Sequence, residues 1–190
     1  MFQKDNERKR EMKKWKFLTA AIGITMAVLV FAVFQGGAEV KAVIPGGILP
    51  DGVYVIQSVN SGKVMDSTLS TVPVTQIHQW GYHGDNQQKW EIEHLGSNVY
   101  KLKSMFNNKV LDVAYNSMED FGAIITSDWH GGNNQRFIIE AKGYNSYAIK
   151  SLSSNKYLDV VGLSRLNGGK IIQYTGNNQD NQVWIFLKQN

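Results

Sequence analysis

The chain has 190 residues, enough for one domain and a leader. It holds 20 Lys and Arg against 16 Asp and Glu, but residues 1–42 carry eight of the basic and four of the acidic groups. Residues 43–190 therefore hold twelve of each, so no basic patch points to nucleic acid. Cysteine is absent, so stability must come from a packed core rather than from disulfides.

The N-terminal segment has the three parts of an export signal. Lys4, Arg8, Lys9, Arg10, Lys13, Lys14 and Lys16 precede an uncharged run, FLTAAIGITMAVLVFAVF, over residues 17–34. A small-residue pattern, Val40-Lys41-Ala42, follows it. The expectation is a signal peptide over 1–42 and a secreted product. The apolar run is also long enough to span a bilayer, which leaves an uncleaved, membrane-anchored form as the alternative. Residues 43–50, with Gly46-Gly47, read as a linker.

From Asp51 onward one unit occurs three times. YVIQSVNSGKVMD, YKLKSMFNNKVLD and YAIKSLSSNKYLD open the copies, at about 51–96, 97–143 and 144–190. Tyr54, Tyr100 and Tyr147 lead them, and Asp66, Asp112 and Asp159 close these first halves. The second halves end in Gln88-x-Trp90, Gln135-x-Phe137 and Gln182-x-Trp184. Apolar residues alternate with a period of two between Gly-, Asn- and Ser-rich turns, which predicts four short strands per copy and about twelve in all. A unit this small cannot bury its own apolar face. Three all-β copies without distinct end caps favour closure about a threefold axis, which also removes free sheet edges.

Three Gln-x-Trp-like signatures at this spacing resemble the ricin B-type lectin family. The resemblance implies an all-β fold, a β-trefoil, over residues 51–190. It also implies a non-catalytic module that binds glycans, of galactose or xylan type, and that serves as a partner or accessory of toxins or hydrolases. The alternative is a protein-interaction or toxin-accessory trefoil that has lost sugar binding.

In the family a shallow site can form in each copy, from the Asp, a strand-end aromatic platform and the residue preceding the signature Gln. Carried over, repeat 3 offers Asp159, Tyr174, Asn181 and Gln182. Repeat 1 offers Asp66, Trp80, Gln87 and Gln88, with Gln87 one methylene longer than the family's Asn. Repeat 2 has Asp112, Asn134 and Gln135, but Ser127 stands at the platform position, so its site is doubtful. A carboxylate accepts from adjacent sugar hydroxyls, and a flat ring packs on the C–H face of the sugar. The three aspartates could equally serve to close turns.

Family disulfide positions are occupied by Val64 and Tyr82, Val110 and Trp129, and Tyr157 and Gly176, and Trp129 is expected mostly to pack. His78, His83, His94 and His130 lack metal-ligand spacing. No catalytic triad or phosphate loop occurs, and no enzyme activity, cofactor or metal is expected.

Overall fold

Alternating burial along short strands sets the architecture. In the strand Val99–Ser104, for example, Tyr100, Leu102 and Ser104 are buried while the residues between them are partly exposed. The computed structural model describes residues 49–69 and 75–190. The export segment expected over 1–42 and most of the linker lie outside the described residues.

Each repeat contributes four strands. Repeat 1 has β1 (Gly52–Ser58), β2 (Val64–Asp66), β3 (His78–Trp80) and β4 (Trp90–Gly96). Repeat 2 has β5 (Val99–Ser104), β6 (Val110–Val113), β7 (Ile124–Ser127) and β8 (Phe137–Gly143). Repeat 3 has β9 (Ser146–Ser151), β10 (Tyr157–Val160), β11 (Gly169–Tyr174) and β12 (Trp184–Lys188).

The first and last strands of the repeats pair in the cyclic order β1–β4–β5–β8–β9–β12 and back to β1, all antiparallel. This is a closed six-stranded barrel. The middle strands form three hairpins, β2–β3, β6–β7 and β10–β11. Those hairpins touch one another through β11–β3 and through the bridges Gln76–Ile125 and Ala123–Ile172. Closure at both levels leaves little unpaired strand edge to recruit another chain.

The threefold sequence pattern is the pattern of the core. Tyr54, Tyr100 and Tyr147, then Ile56, Leu102 and Ile149, then Trp90, Phe137 and Trp184 are all buried in one cluster. The two tryptophans satisfy their ring N–H groups on the carbonyls of Met65 (3.2 Å) and Leu158 (3.3 Å). Phe137 occupies the same place without a polar group to satisfy. Leu49 is buried with this cluster, and its backbone N–H donates to the Tyr100 hydroxyl at 2.9 Å.

The positions compared above with the disulfides of the resembled family are filled differently in the three copies. A Cβ built on Gly176 would lie 2.7 Å from the Tyr157 ring, so in repeat 3 an aromatic face packs directly on a glycine. Trp129, expected to pack, is instead 42 % exposed, with the Lys101 ammonium 5.2 Å from its ring centroid.

Candidate functional site

Each signature glutamine is buried, and both the nitrogen and the oxygen of its amide are bonded within its own repeat. Gln182 Nε2 donates to Asp159 Oδ2 (2.9 Å) and to the Thr175 carbonyl (3.1 Å), while its Oε1 accepts the Asn177 N–H (3.1 Å). Gln135 makes the same three bonds, to Asp112 Oδ2 (2.7 Å), the Asp128 carbonyl (2.8 Å) and the His130 N–H (2.8 Å). Gln88 repeats them with Asp66 Oδ2 (3.1 Å), the Gly81 carbonyl (3.0 Å) and the His83 N–H (2.8 Å). The glutamine thus ties the Asp to the loop that follows the third strand, and both of its amide hydrogens are spent within the fold.

Repeat 3 brings together all four residues carried over from the sequence. Asn181 Nδ2 donates to Asp159 Oδ1 (2.8 Å) and to the Val160 carbonyl (3.1 Å). Asp159 is 3 % exposed. Burial holds the Asp159 carboxyl above its ordinary value of 3.8, the bonds from Gln182 and Asn181 pull it down, and the Asp120 charge adds to the upward push. Asn181 Oδ1 is buried and accepts no bond. A cavity of about 320 Å³ opens over these groups, lined by Tyr174, Ile172, Asn177 and the loop residues Gly162 and Leu163.

One wall of that cavity belongs to another repeat. Phe121, on the loop between β6 and β7, meets Tyr174 edge-on at 5.1 Å between centroids. The loop is fastened there by Asp120, whose Oδ1 accepts the Thr175 N–H (2.8 Å) and faces Lys156 Nζ (2.7 Å). Repeat 1 has the equivalent clamp: Asn167 Oδ1 accepts the Gly81 N–H at 3.0 Å. At the Phe121 position it has Gly168, whose added Cβ would touch the Trp80 ring at 3.9 Å.

Repeat 1 departs from repeat 3 in its polar groups. Asp66 Oδ1 accepts the Thr68 N–H at 2.8 Å, and no side-chain bond joins Gln87 to Asp66. Gln87 instead offers its backbone carbonyl to the Ser67 N–H (2.9 Å). Two imidazoles take up the space: His83 Nε2 lies 3.6 Å from Asp66 Oδ2, and His78 Nε2 lies 3.9 Å from Oδ1. Burial pushes the His78 imidazole below its ordinary value, with Asp66 pulling the other way. Trp80 is 41 % exposed, a ring free to be covered on one face.

Repeat 2 keeps the polar half. Asn134 Nδ2 donates to Asp112 Oδ1 at 2.9 Å, as in repeat 3. Ser127 presents no ring. Yet a cavity of about 720 Å³ stands over Asp112 and Asn134, lined also by Tyr115, Met118 and His130. Tyr115 and Phe121 were not among the residues singled out in the sequence, and His130 was considered there only as a metal ligand. Their positions vary between copies, and Phe121 acts across a repeat boundary. Among the described residues no group of three or more His, Asp and Glu is placed to hold a metal ion.

A six-stranded barrel capped by three hairpins, with a buried Asp–Gln pair under each cap, defines a β-trefoil of the lectin type. The model of the family described as "Ricin-type beta-trefoil lectin domain-like" matches residues 44–127 and 133–190, and the chain belongs to that family. ThreeFoil, a designed threefold-symmetric protein, is 33 % identical with a TM-score of 0.71, over 73 % of this chain and 100 % of its own. The exo-β-1,3-galactanase 1,3Gal43A of Clostridium thermocellum is 32 % identical with a TM-score of 0.69, over 73 % of this chain. The match takes in 30 % of that enzyme. The clotting factor G alpha subunit of Tachypleus tridentatus is 38 % identical over 53 residues, 27 % of this chain and 8 % of that protein. The Macrolepiota procera ricin B-like lectin, solved in complex with lactose, shares the fold at 20 % identity and a TM-score of 0.64, over 74 % of this chain and 99 % of its own.

Proposed function

We propose that the domain is a non-catalytic carbohydrate-binding module whose principal site lies in repeat 3, with a second site in repeat 1. The observation that carries this reading is the floor of the repeat 3 cavity. Asp159 and the unpartnered Asn181 Oδ1 are acceptors, and the Asn181 amide hydrogens are already spent on Asp159 and Val160. A buried acceptor without a donor costs free energy that a ligand hydroxyl recovers. The ligand must therefore bring two adjacent O–H donors beside an apolar face that can lie on Tyr174, and a pyranose ring does both.

Similarity to the galactanase domain supports a galactose-type ligand ahead of a xylan-type one. The small share of the galactanase and of the clotting factor that the chain matches supports the use of such a domain as an accessory to another activity, a toxin or hydrolase among them. The N-terminal sequence supports export, either cleaved and secreted or anchored on the outer side. Sequencing the N-terminus of exported material decides between those two: a start near Val43 supports cleavage, and an intact 17–34 segment in the membrane fraction supports the anchor.

Calorimetric titration of the full-length protein with galactose, lactose and xylobiose tests the glycan reading. Heat that saturates in the wild type and is reduced in Tyr174→Ala supports it. No heat from any of these, together with no binding to a broad glycan array, contradicts it.

A further inference from the structure

Tyr115 and Gly162 each stand three residues after the aspartate of their repeat, and both have left-handed backbone, with φ of 56° and 63°. That conformation suits glycine and burdens a bulky aromatic side chain. Tyr115 adopts it and leaves its ring 90 % exposed, so neither backbone ease nor core packing accounts for a tyrosine there. The ring lines the cavity over Asp112, whose volume of about 720 Å³ is more than twice that over Asp159. Extra room comes from Ser127, which leaves open the space that Tyr174 fills in repeat 3.

The polar side of this cavity is also differently built. His130 Nδ1 accepts the Gly132 N–H at 3.2 Å, which places the ring proton of the neutral imidazole on Nε2. That atom lies 3.5 Å from Asp112 Oδ2 and lines the cavity as a donor. Glycine at 132 permits this approach, since a Cβ there would sit 2.5 Å from Asn134 Oδ1 and 2.7 Å from His130 Cε1. In repeat 1 the equivalent position holds Asp85, whose carboxylate instead takes His83 Nδ1 at 3.2 Å. Repeat 2 thus offers an acceptor at Asp112, a donor at His130 and an aromatic face at Tyr115, arranged unlike either neighbour.

We propose that repeat 2 is a glycan site of a second kind, in which Tyr115 supplies the stacking face from the loop side and the wider cleft takes two linked sugar rings where repeat 3 takes one. One ring sits over Asp112 and Asn134, and the second runs along Tyr115 toward Met118. This rests on the carbohydrate-binding reading above.

The chain has four histidines, and the repeat 3 site has none, so the His130 ring signal in an NMR titration reports occupancy of repeat 2 alone. The full-length protein in detergent micelles is titrated with galactose, lactose, xylose and xylobiose. The expected result is a His130 shift that saturates with a disaccharide at about tenfold lower concentration than with its monosaccharide. Tyr115→Gly removes this shift and leaves Tyr174-dependent heat intact, and Tyr174→Ala does the reverse. Glycine is at home at φ 56°, so Tyr115→Gly keeps its melting temperature, and lost binding is not lost fold. A silent His130 while repeat 3 binds, equal response to mono- and disaccharide, or an unaffected His130 shift in Tyr115→Gly each overturns the proposal while sparing the broader reading. Absence of any glycan response in the wild type overturns both.

Discussion

Replacing Asp159 with alanine separates ligand chemistry from scaffold chemistry in repeat 3. The substitution removes two bonds that reach an ionised group, from Asn181 Nδ2 and Gln182 Nε2. Bonds of that type are worth about 1.5 to 3 kcal/mol each. Two features reduce the loss. Both donors retain a second partner, Val160 for Asn181 and Thr175 for Gln182, so neither is orphaned. Burial also raises the Asp159 carboxyl above 3.8, so the charge itself opposes folding. The net cost at pH 7 is then about 1 to 2 kcal/mol, or a melting temperature lower by roughly 3 to 8 °C.

The pH dependence carries a definite sign. With its folded value above the unfolded value near 3.8, the folded protein keeps a proton that the unfolded chain has released. Stability from this group is greatest below 3.8 and declines as pH rises through the window above it. Asp159→Ala lacks that titration, so the gap in melting temperature between wild type and variant narrows from pH 3 to pH 7. Thermal melts across that range, with sugar binding measured in a Trp80→Ala background, check both halves. A gap that widens with pH would refute the account of a carboxylate held ionised against its burial. Normal repeat 3 binding by the variant would refute its role as the hydroxyl acceptor.

Trp184→Ala, by contrast, empties a fully buried position and removes the bond to the Leu158 carbonyl, and a loss of about 3 to 5 kcal/mol is expected by denaturant unfolding. Tyr174→Ala, on a part-exposed ring, is expected to melt within about 2 °C of wild type while losing repeat 3 binding. Phe121→Ala is expected to weaken that binding severalfold without lowering the melting temperature, because the residue is 64 % exposed and lines the cavity beside Tyr174. Gly176→Ala forces a methyl against the Tyr157 ring and is expected to cost about 1 to 3 kcal/mol by the same unfolding assay. A polymeric glycan surface is expected to hold the protein more tightly than free monosaccharide does, since separated sites on one rigid scaffold engage it together. Equal affinity per site in calorimetry and surface binding would count against that.

The barrel and its symmetry were legible because the same residues that repeat are those that pack. Tyr54, Ile56 and Trp90 have a Tyr, an Ile or Leu, and a Trp or Phe at the same places in the other copies, because the barrel has three equivalent interiors to fill. The Asp–Gln pairing was legible for the same reason, as an invariant bond needs invariant partners. What could not be read were the walls of the clefts. Phe121 closes a site in the following repeat, and comparison of one copy with another does not reveal a contact between copies. Tyr115 stands where repeat 3 has Gly162, and nothing in a tyrosine announces the left-handed backbone of that position. The histidines beside Asp66 and Asp112 similarly resembled a repeated coincidence until the fold set His83 and His130 at 3.6 and 3.5 Å from the carboxylates. Gln87 went the other way: one added methylene sufficed to take its amide off the Asp.

The claim that this domain binds glycans through its buried aspartates is tested most directly on a glycan array, with the full-length wild type beside a triple variant carrying Asp66→Ala, Asp112→Ala and Asp159→Ala. Melting and circular dichroism must first establish that the variant is folded. The account predicts binding of the wild type to galactose-type or xylan-type glycans and loss of that binding in the folded variant. Binding retained by the variant, or no binding by a folded wild type to any glycan displayed, would contradict it.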